Sequence, residues 1–193
     1  MAKVYPQTLT ASSSSKQEVF TVWMKSLILH SNGCTVFDSN GRVIYRVDNY
    51  NHKCSSQVFL MDITGKVLFT IVKKKFTVFG HWKGYRWTGT DKGKPGFIVR
   101  KKMGILGGYT HLEVVVGLDV NKPYQYTMEN QSRKSSCKII DNFGGLVAEV
   151  KRKITTSGVI LGEDVLTMVV EPYMDHSLVM GLLVVFGLIN HNL

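Results

Sequence analysis

Short runs of β-branched and aromatic residues alternate with polar, glycine-bearing stretches along most of the chain. Thr35-Val36-Phe37, Val43-Ile44-Tyr45, Val58-Phe59-Leu60 and Val67-Leu68-Phe69 have the character of half-buried strands. The same character predicts further strands near 85–88, 97–100, 111–116, 124–128, 136–140, 146–150 and 165–170. Eleven or twelve short strands with no helix between them predict a barrel or a sandwich.

One unit recurs within this pattern. FDSNGRVIYRV (37–47), MDITGKVLFTI (61–71) and IDNFGGLVAEV (140–150) each read apolar residue, Asp, two residues, Gly, one residue, then a strand. A carboxylate at the start of a turn accepts backbone N–H groups, and glycine at its end tolerates a left-handed backbone. Asp38, Asp62 and Asp141 are therefore expected to open hairpin turns that Gly41, Gly65 and Gly144 close. They are read as turn formers, not as catalytic carboxylates.

The exception to the β pattern is SLVMGLLVVFGLI (177–189), which carries no charge and follows a plausible N-cap at Asp175. It is apolar all round, so as a helix it has no face for water and must be buried on every side. At ~1.5 Å per residue it spans about 20 Å, short of the ~30 Å hydrocarbon core of a bilayer. Glu171, Pro172 and Asp175 prevent its backward extension. A closed sheet around the helix would bury it and also remove the open strand edges. The expected fold is thus mainly β, a closed antiparallel barrel of about 12 strands around a central apolar C-terminal α-helix. The first 17 residues, Ser-rich, are expected to form a flexible tail, and 18–193 a single domain.

Charge changes the picture. The 193 residues hold 24 Lys and Arg against 14 Asp and Glu, for a net +10. Ten of those bases and only one of the acids fall within 73–102, so one short stretch carries nearly all the excess. Three triplets of bases each follow a strand: Lys73-Lys74-Lys75, Arg100-Lys101-Lys102 and Lys151-Arg152-Lys153, each between apolar residues. Alternation would send one member of each triplet toward the core, where a base cannot stay dry. The triplets are therefore expected at strand ends or bulges, and these nine residues are the candidate ligands for anionic headgroups.

Other chemistry finds little support. Cys34, Cys54 and Cys137 show neither metal nor redox spacing, and the six histidines are scattered. Gly89-Thr90-Asp91-Lys92-Gly93-Lys94-Pro95 lacks the spacing and the terminal hydroxyl of a phosphate loop and reads as a hairpin tip. Gly104-Ile105-Leu106-Gly107-Gly108 lacks the strand–turn–helix context of a dinucleotide site. No nucleophile, base and orienting group can be assembled, so no enzyme, cofactor or metal is expected. Aromatics interleave with bases in 73–102, as in single-strand binders. The period of two at Tyr85 and Trp87 instead predicts aromatics facing a core, which disfavours nucleic acid. An absent secretory signal and unpaired cysteines point to a cytoplasmic or nuclear protein.

TVWMKSLILHSNGCTVFDSNGRVIYRVDNY (21–50), VFLMDITGKVLFTIVKKK (58–75), His81-Trp82-Lys83-Gly84-Tyr85 and EPYMDHSLVMGLLVVFGLI (171–189) together resemble the plant LURP-one-related family. The resemblance covers about residues 18 to 190 and implies the tubby C-terminal-like fold, a barrel closed around a C-terminal helix. The family is similar to phospholipid scramblases and to tubby-like proteins, which are membrane-tethered transcription regulators that bind phosphoinositides. Some plant members are linked to pathogen defence. The resemblance therefore implies a regulatory protein that meets an anionic phospholipid or phosphoinositide surface, peripheral at the plasma membrane or nuclear, with protein partners. The alternative is a protein- or DNA-interaction scaffold in defence that does not bind lipid.

Overall fold

Twelve strands close into one antiparallel barrel in which each strand pairs with its neighbours in sequence, and β12 completes the ring against β1. A computed structural model describes residues 13–25, 32–49, 57–74, 81–87, 95–102, 110–117, 124–130 and 136–190. The strands are β1 (Glu18–Trp23), β2 (Asn32–Phe37), β3 (Val43–Asn49), β4 (Gln57–Asp62), β5 (Val67–Lys74) and β6 (His81–Arg86). They continue with β7 (Phe97–Lys102), β8 (Thr110–Val116), β9 (Tyr124–Asn130), β10 (Cys137–Asp141), β11 (Leu146–Arg152) and β12 (Val165–Val170). A single helix, α1 (His176–Ile189), follows β12.

The expected class is what the chain adopts, and the helix lies one residue from its expected start. β1 is the strand not anticipated, although Phe20 and Val22 alternate inward along EVFTVW. β6 begins earlier than expected, at His81. Its inward positions are therefore Trp82 and Gly84, which are buried. Tyr85 and Trp87 do not face the core: Tyr85 is half-buried on the other face and Trp87 is 61% exposed. Gly84 broke the aromatic pattern and hid the true phase of the strand.

The repeated Asp-x-x-Gly unit forms the same turn three times. Asp38 Oδ1 accepts the N–H groups of Asn40 and Arg42, each at 2.8 Å. Asp62 Oδ1 accepts those of Thr64 and Lys66 at 2.9 and 3.0 Å. Asp141 Oδ1 accepts those of Phe143 and Gly145 at 2.9 and 2.7 Å. Gly41, Gly65 and Gly144 sit at φ +76°, +86° and +78°, where a Cβ would be strained. The register shifts at each of these hairpins, between Val36 and Phe37, Leu60 and Met61, and Ile139 and Ile140.

Helix α1 occupies the barrel interior. His176 through Gly187 are all buried. The helix meets Phe20 of β1 through His176, and Phe69 of β5 and Phe97 of β7 through Gly181. Asp175 caps the first turn, its Oδ1 accepting from the N–H groups of Ser177 and Leu178 at 3.0 and 3.2 Å. Because neighbouring strands alternate in direction, the barrel has two distinct ends. The Asp-Gly turns and the helix N-terminus share the entry end. The last residues of β5, β7 and β11 and the C-terminus of α1 share the far end.

Candidate functional site: a basic wall at the far end of the barrel

The described members of the three base triplets lie at or just past strand ends, and all of them belong to the far end. They do not form one cluster. β5 and β7 both pair with β6, so Lys74, His81 and Arg100 stand side by side in register. At ~4.8 Å between strands this row covers about 10 Å of the outer wall. Lys83, two residues along β6, and Lys102, two along β7, share that outer face.

Lys73 and Lys101 have the parity of the core residues Ile71 and Val99. Each comes one step past the core, where the strand leaves the packed interior, and each is exposed. The Lys73 ammonium lies 5.6 Å from the centroid of the Trp82 ring, its register partner. This is a cation–π contact that holds the base at the rim. Among the described residues, no carboxylate lies within ion-pair distance of Lys73, Lys74, Lys83, Arg100, Lys101 or Lys102. Lys75 lies outside the described residues.

His81 sits within this field. Burial holds its imidazole below the ordinary value of 6.5, and the positive charges of Lys83, Arg100 and Lys74 depress it further. Lys74, Lys83 and Arg100 thus converge on His81, and Glu113 of β8 follows Arg100 in the same register row.

The third triplet differs. β11 stands opposite β5 in the ring, and its bases are occupied. Lys151 Nζ lies 2.8 Å from Glu149 Oε2, and Arg152 Nη2 lies 2.6 Å from Glu163 Oε1. Lys153 Nζ donates to Thr21 Oγ1 on β1. The carboxyl of Glu149 is held below its ordinary value, first by the hydrogen bond from Lys151. These cations are spent on the barrel itself.

Lys73, Lys74, Arg100, Lys101 and Lys102 therefore come together, whereas Lys151, Arg152 and Lys153 stand apart. Sequence reasoning did not include Lys83 and His81. The alternation in His81-Trp82-Lys83-Gly84 contains the signal, provided that β6 is started at His81. Among the described residues, no group of three or more His, Cys, Asp and Glu is placed to hold a metal ion. Among the same residues, no helix is long and apolar enough to cross a membrane.

The LURP-one-related family model matches residues 18–187, from the first residue of β1 into the last turn of α1. The chain belongs to the LURP-one-related family. It is 40% identical to Protein LURP-one-related 11 of Arabidopsis thaliana over 98% of this chain and 89% of that protein. It is 47% identical to Protein LURP-one-related 3 of the same plant over 91% of this chain and 81% of that one. An X-ray structure of an Arabidopsis thaliana protein superposes with a TM-score of 0.66, covering 92% of this chain and 94% of the other. At 16% identity that likeness speaks for the fold alone. For this LURP-one-related chain, the resemblance seen in the sequence thus holds from barrel to helix.

Proposed function

We propose that this LURP-one-related protein is a non-enzymatic regulatory protein that binds an anionic phospholipid surface through the β5–β6–β7 wall. The observation that carries the reading is the register row of Lys74, His81 and Arg100, extended on the same outer face by Lys83 and Lys102. Glu113 of β8 follows Arg100 in that row, but among the described residues no carboxylate lies within ion-pair distance of these three lysines or of Arg100. Each base near an anionic leaflet contributes on the order of 1 kcal/mol, so a wall of five or six is enough for reversible, salt-sensitive attachment. Phosphoinositides concentrate several negative charges on one headgroup and suit the converging cations best. A regulator tethered in this way would occupy the membrane periphery and leave it when the surface charge falls.

A second reading, a scaffold for protein partners, draws on the entry end. There Ile63, Phe143 and Tyr173 are exposed in turns, and Trp87 is exposed just past the end of β6. Sedimentation with phosphatidylcholine vesicles, with and without phosphatidylserine or a phosphoinositide, separates the two readings. Pelleting only with anionic lipid, reversed by salt, supports the lipid-bound regulator. No pelleting at low salt overturns it in favour of the scaffold.

A further inference from the structure

Between β11 and β12 the chain makes a second, smaller hairpin. Lys153 N–H donates to the carbonyl of Val165, and Leu161 N–H to that of Lys153, both at 3.0 Å, so the ladder continues past the last barrel pair, Arg152 and Leu166. Ile154 and Ile160 form an antiparallel bridge within the extension, and Thr155 and Gly158 close its tip. Bridged residues lie side by side on one face. Ile154 is 57% exposed and Ile160 59%, and Val159 between them is 57% exposed. No charged residue occurs from 154 to 162. Three large aliphatic side chains thus stand in water on an uncharged hairpin, although nothing in turn formation requires them.

We propose that this hairpin inserts the aliphatic side chains that flank its tip, Ile154, Val159 and Ile160, into the same anionic leaflet that the basic wall meets. The inference rests on the lipid-binding reading above and adds a hydrophobic anchor to it. Three observations favour a leaflet as the occupant. First, the hairpin springs from the far end of the barrel, across the ring from β5, so a leaflet laid over that end meets both the hairpin and the rim bases Lys73, Lys101 and Lys102.

Second, the two acids at its base are neutralised. Glu163 is paired with Arg152, and Asp164 with Lys25 at 3.1 Å and with the indole N–H of Trp23 at 3.2 Å. The approach to an anionic surface therefore meets no uncompensated carboxylate at the base of the hairpin. Third, those same contacts fix the hairpin to β1 and β11, so insertion requires little ordering of its base. Bases and aliphatic hairpin side chains then act as two separable terms, one screened by salt and the other not.

The test uses the full chain and vesicles of phosphatidylcholine with phosphatidylserine. Ile154→Ser/Ile160→Ser changes only exposed side chains, and a thermal melt checks that the barrel is intact. The expected result is a roughly tenfold weaker partition and loss of the binding that survives high salt, as the removal of buried methylene groups requires. Independently, Val159→Trp should be quenched by brominated acyl chains more than the wild-type tryptophans are. Wild type that pellets, with a serine variant that pellets equally and a tryptophan that is not quenched, overturns the insertion and leaves the basic wall standing. Wild type that does not pellet overturns both. A wild type whose self-association is abolished by the serine variant, with vesicle binding unchanged, makes the hairpin a contact between copies and overturns the insertion.

Discussion

Arg86 at the end of β6 grips Asp175, the residue that caps α1. The two carboxylate oxygens divide the work: Oδ1 accepts the helix N–H groups and Oδ2 takes the Arg86 guanidinium. That guanidinium lies 4.6 Å from the centroid of Phe69, on the strand beside it. Barrel wall and core helix are therefore tied by one carboxylate, at the end where the chain turns from β12 into the interior.

This tie predicts a graded response. Asp175→Ala removes the cap and strands a largely buried guanidinium, and is expected to cost about 3 kcal/mol. Asp175→Asn keeps an acceptor for the helix N–H groups and is expected to cost roughly half of that. Denaturant titration of both variants checks the order. Equal losses would show that the ion pair with Arg86 contributes nothing beyond the cap.

A second close approach sets the helix depth. A Cβ on Gly84 would lie 2.2 Å from the Phe97 ring, and one on Gly181 would lie 3.0 Å from it. Phe97 is completely buried between strand and helix. Gly84→Ala is expected to destabilise by about 3 kcal/mol, and Gly181→Ala by about 1 kcal/mol. Phe97→Leu also destabilises, yet Gly84→Ala/Phe97→Leu should lose less than the two singles combined, because the smaller side chain makes room for the methyl group. Additive losses in a double-mutant cycle would refute the steric account.

Buried Cys34 and Cys137 offer a check on the closure of the barrel. Burial pushes the Cys137 thiol up to about 12, so little thiolate exists at neutral pH. Neither residue should react with an alkylating reagent in the folded protein, and both should react once denaturant opens the ring. Modification of Cys137 under native conditions, read by peptide mass, would show that the wall breathes.

The elements legible in the sequence are those whose signal is local. The Asp38, Asp62 and Asp141 turns announce themselves because carboxylate and glycine act within five residues. The helix does so because an uncharged segment with no polar face has few alternatives to complete burial. The basic wall was legible only in part. Its bases show in the composition, but their grouping depends on which strands neighbour β6, and register is a long-range property. The two triplets that join and the triplet that stands apart look alike in sequence. The carboxylate that occupies Arg152, Glu163, lies beyond a turn, and Lys83 hides in a strand whose phase Gly84 obscures.

That division of the triplets predicts unequal mutational effects. Lys74→Glu/Arg100→Glu places two acids in the centre of the β5–β6–β7 wall and should weaken binding to anionic vesicles by roughly a hundredfold or more, since four units of charge are altered at on the order of 1 kcal/mol each. Lys151→Glu disturbs a base already held by Glu149 and should change binding little, while costing some stability. Equal effects on vesicle sedimentation would return the β11 triplet to the binding surface.

His81 gives the wall a pH dependence whose sign follows from its surroundings. Burial and the neighbouring cations Lys83, Arg100 and Lys74 lower its folded value below 6.5, the value taken for the unfolded chain. Above pH 6.5 the imidazole is neutral in both states and contributes nothing. As pH falls below 6.5 the unfolded chain takes up the proton first, so stability declines until pH passes the lower folded value and then levels off. An anionic surface against the wall reverses the local field and favours the imidazolium, so binding takes up a proton. Vesicle affinity should therefore rise as pH drops below 6.5, by about fivefold for one added cation at on the order of 1 kcal/mol. His176 is also held below its ordinary value, first by burial, and adds to the acid sensitivity of the fold. His81→Gln leaves His176 in place, so the difference between variant and wild type isolates His81. The variant should lose less stability between pH 7 and 5 than wild type and should bind vesicles with little dependence on pH over that range. A wild-type affinity that does not change with pH would mean that the bound surface does not reach the Lys74–His81–Arg100 row.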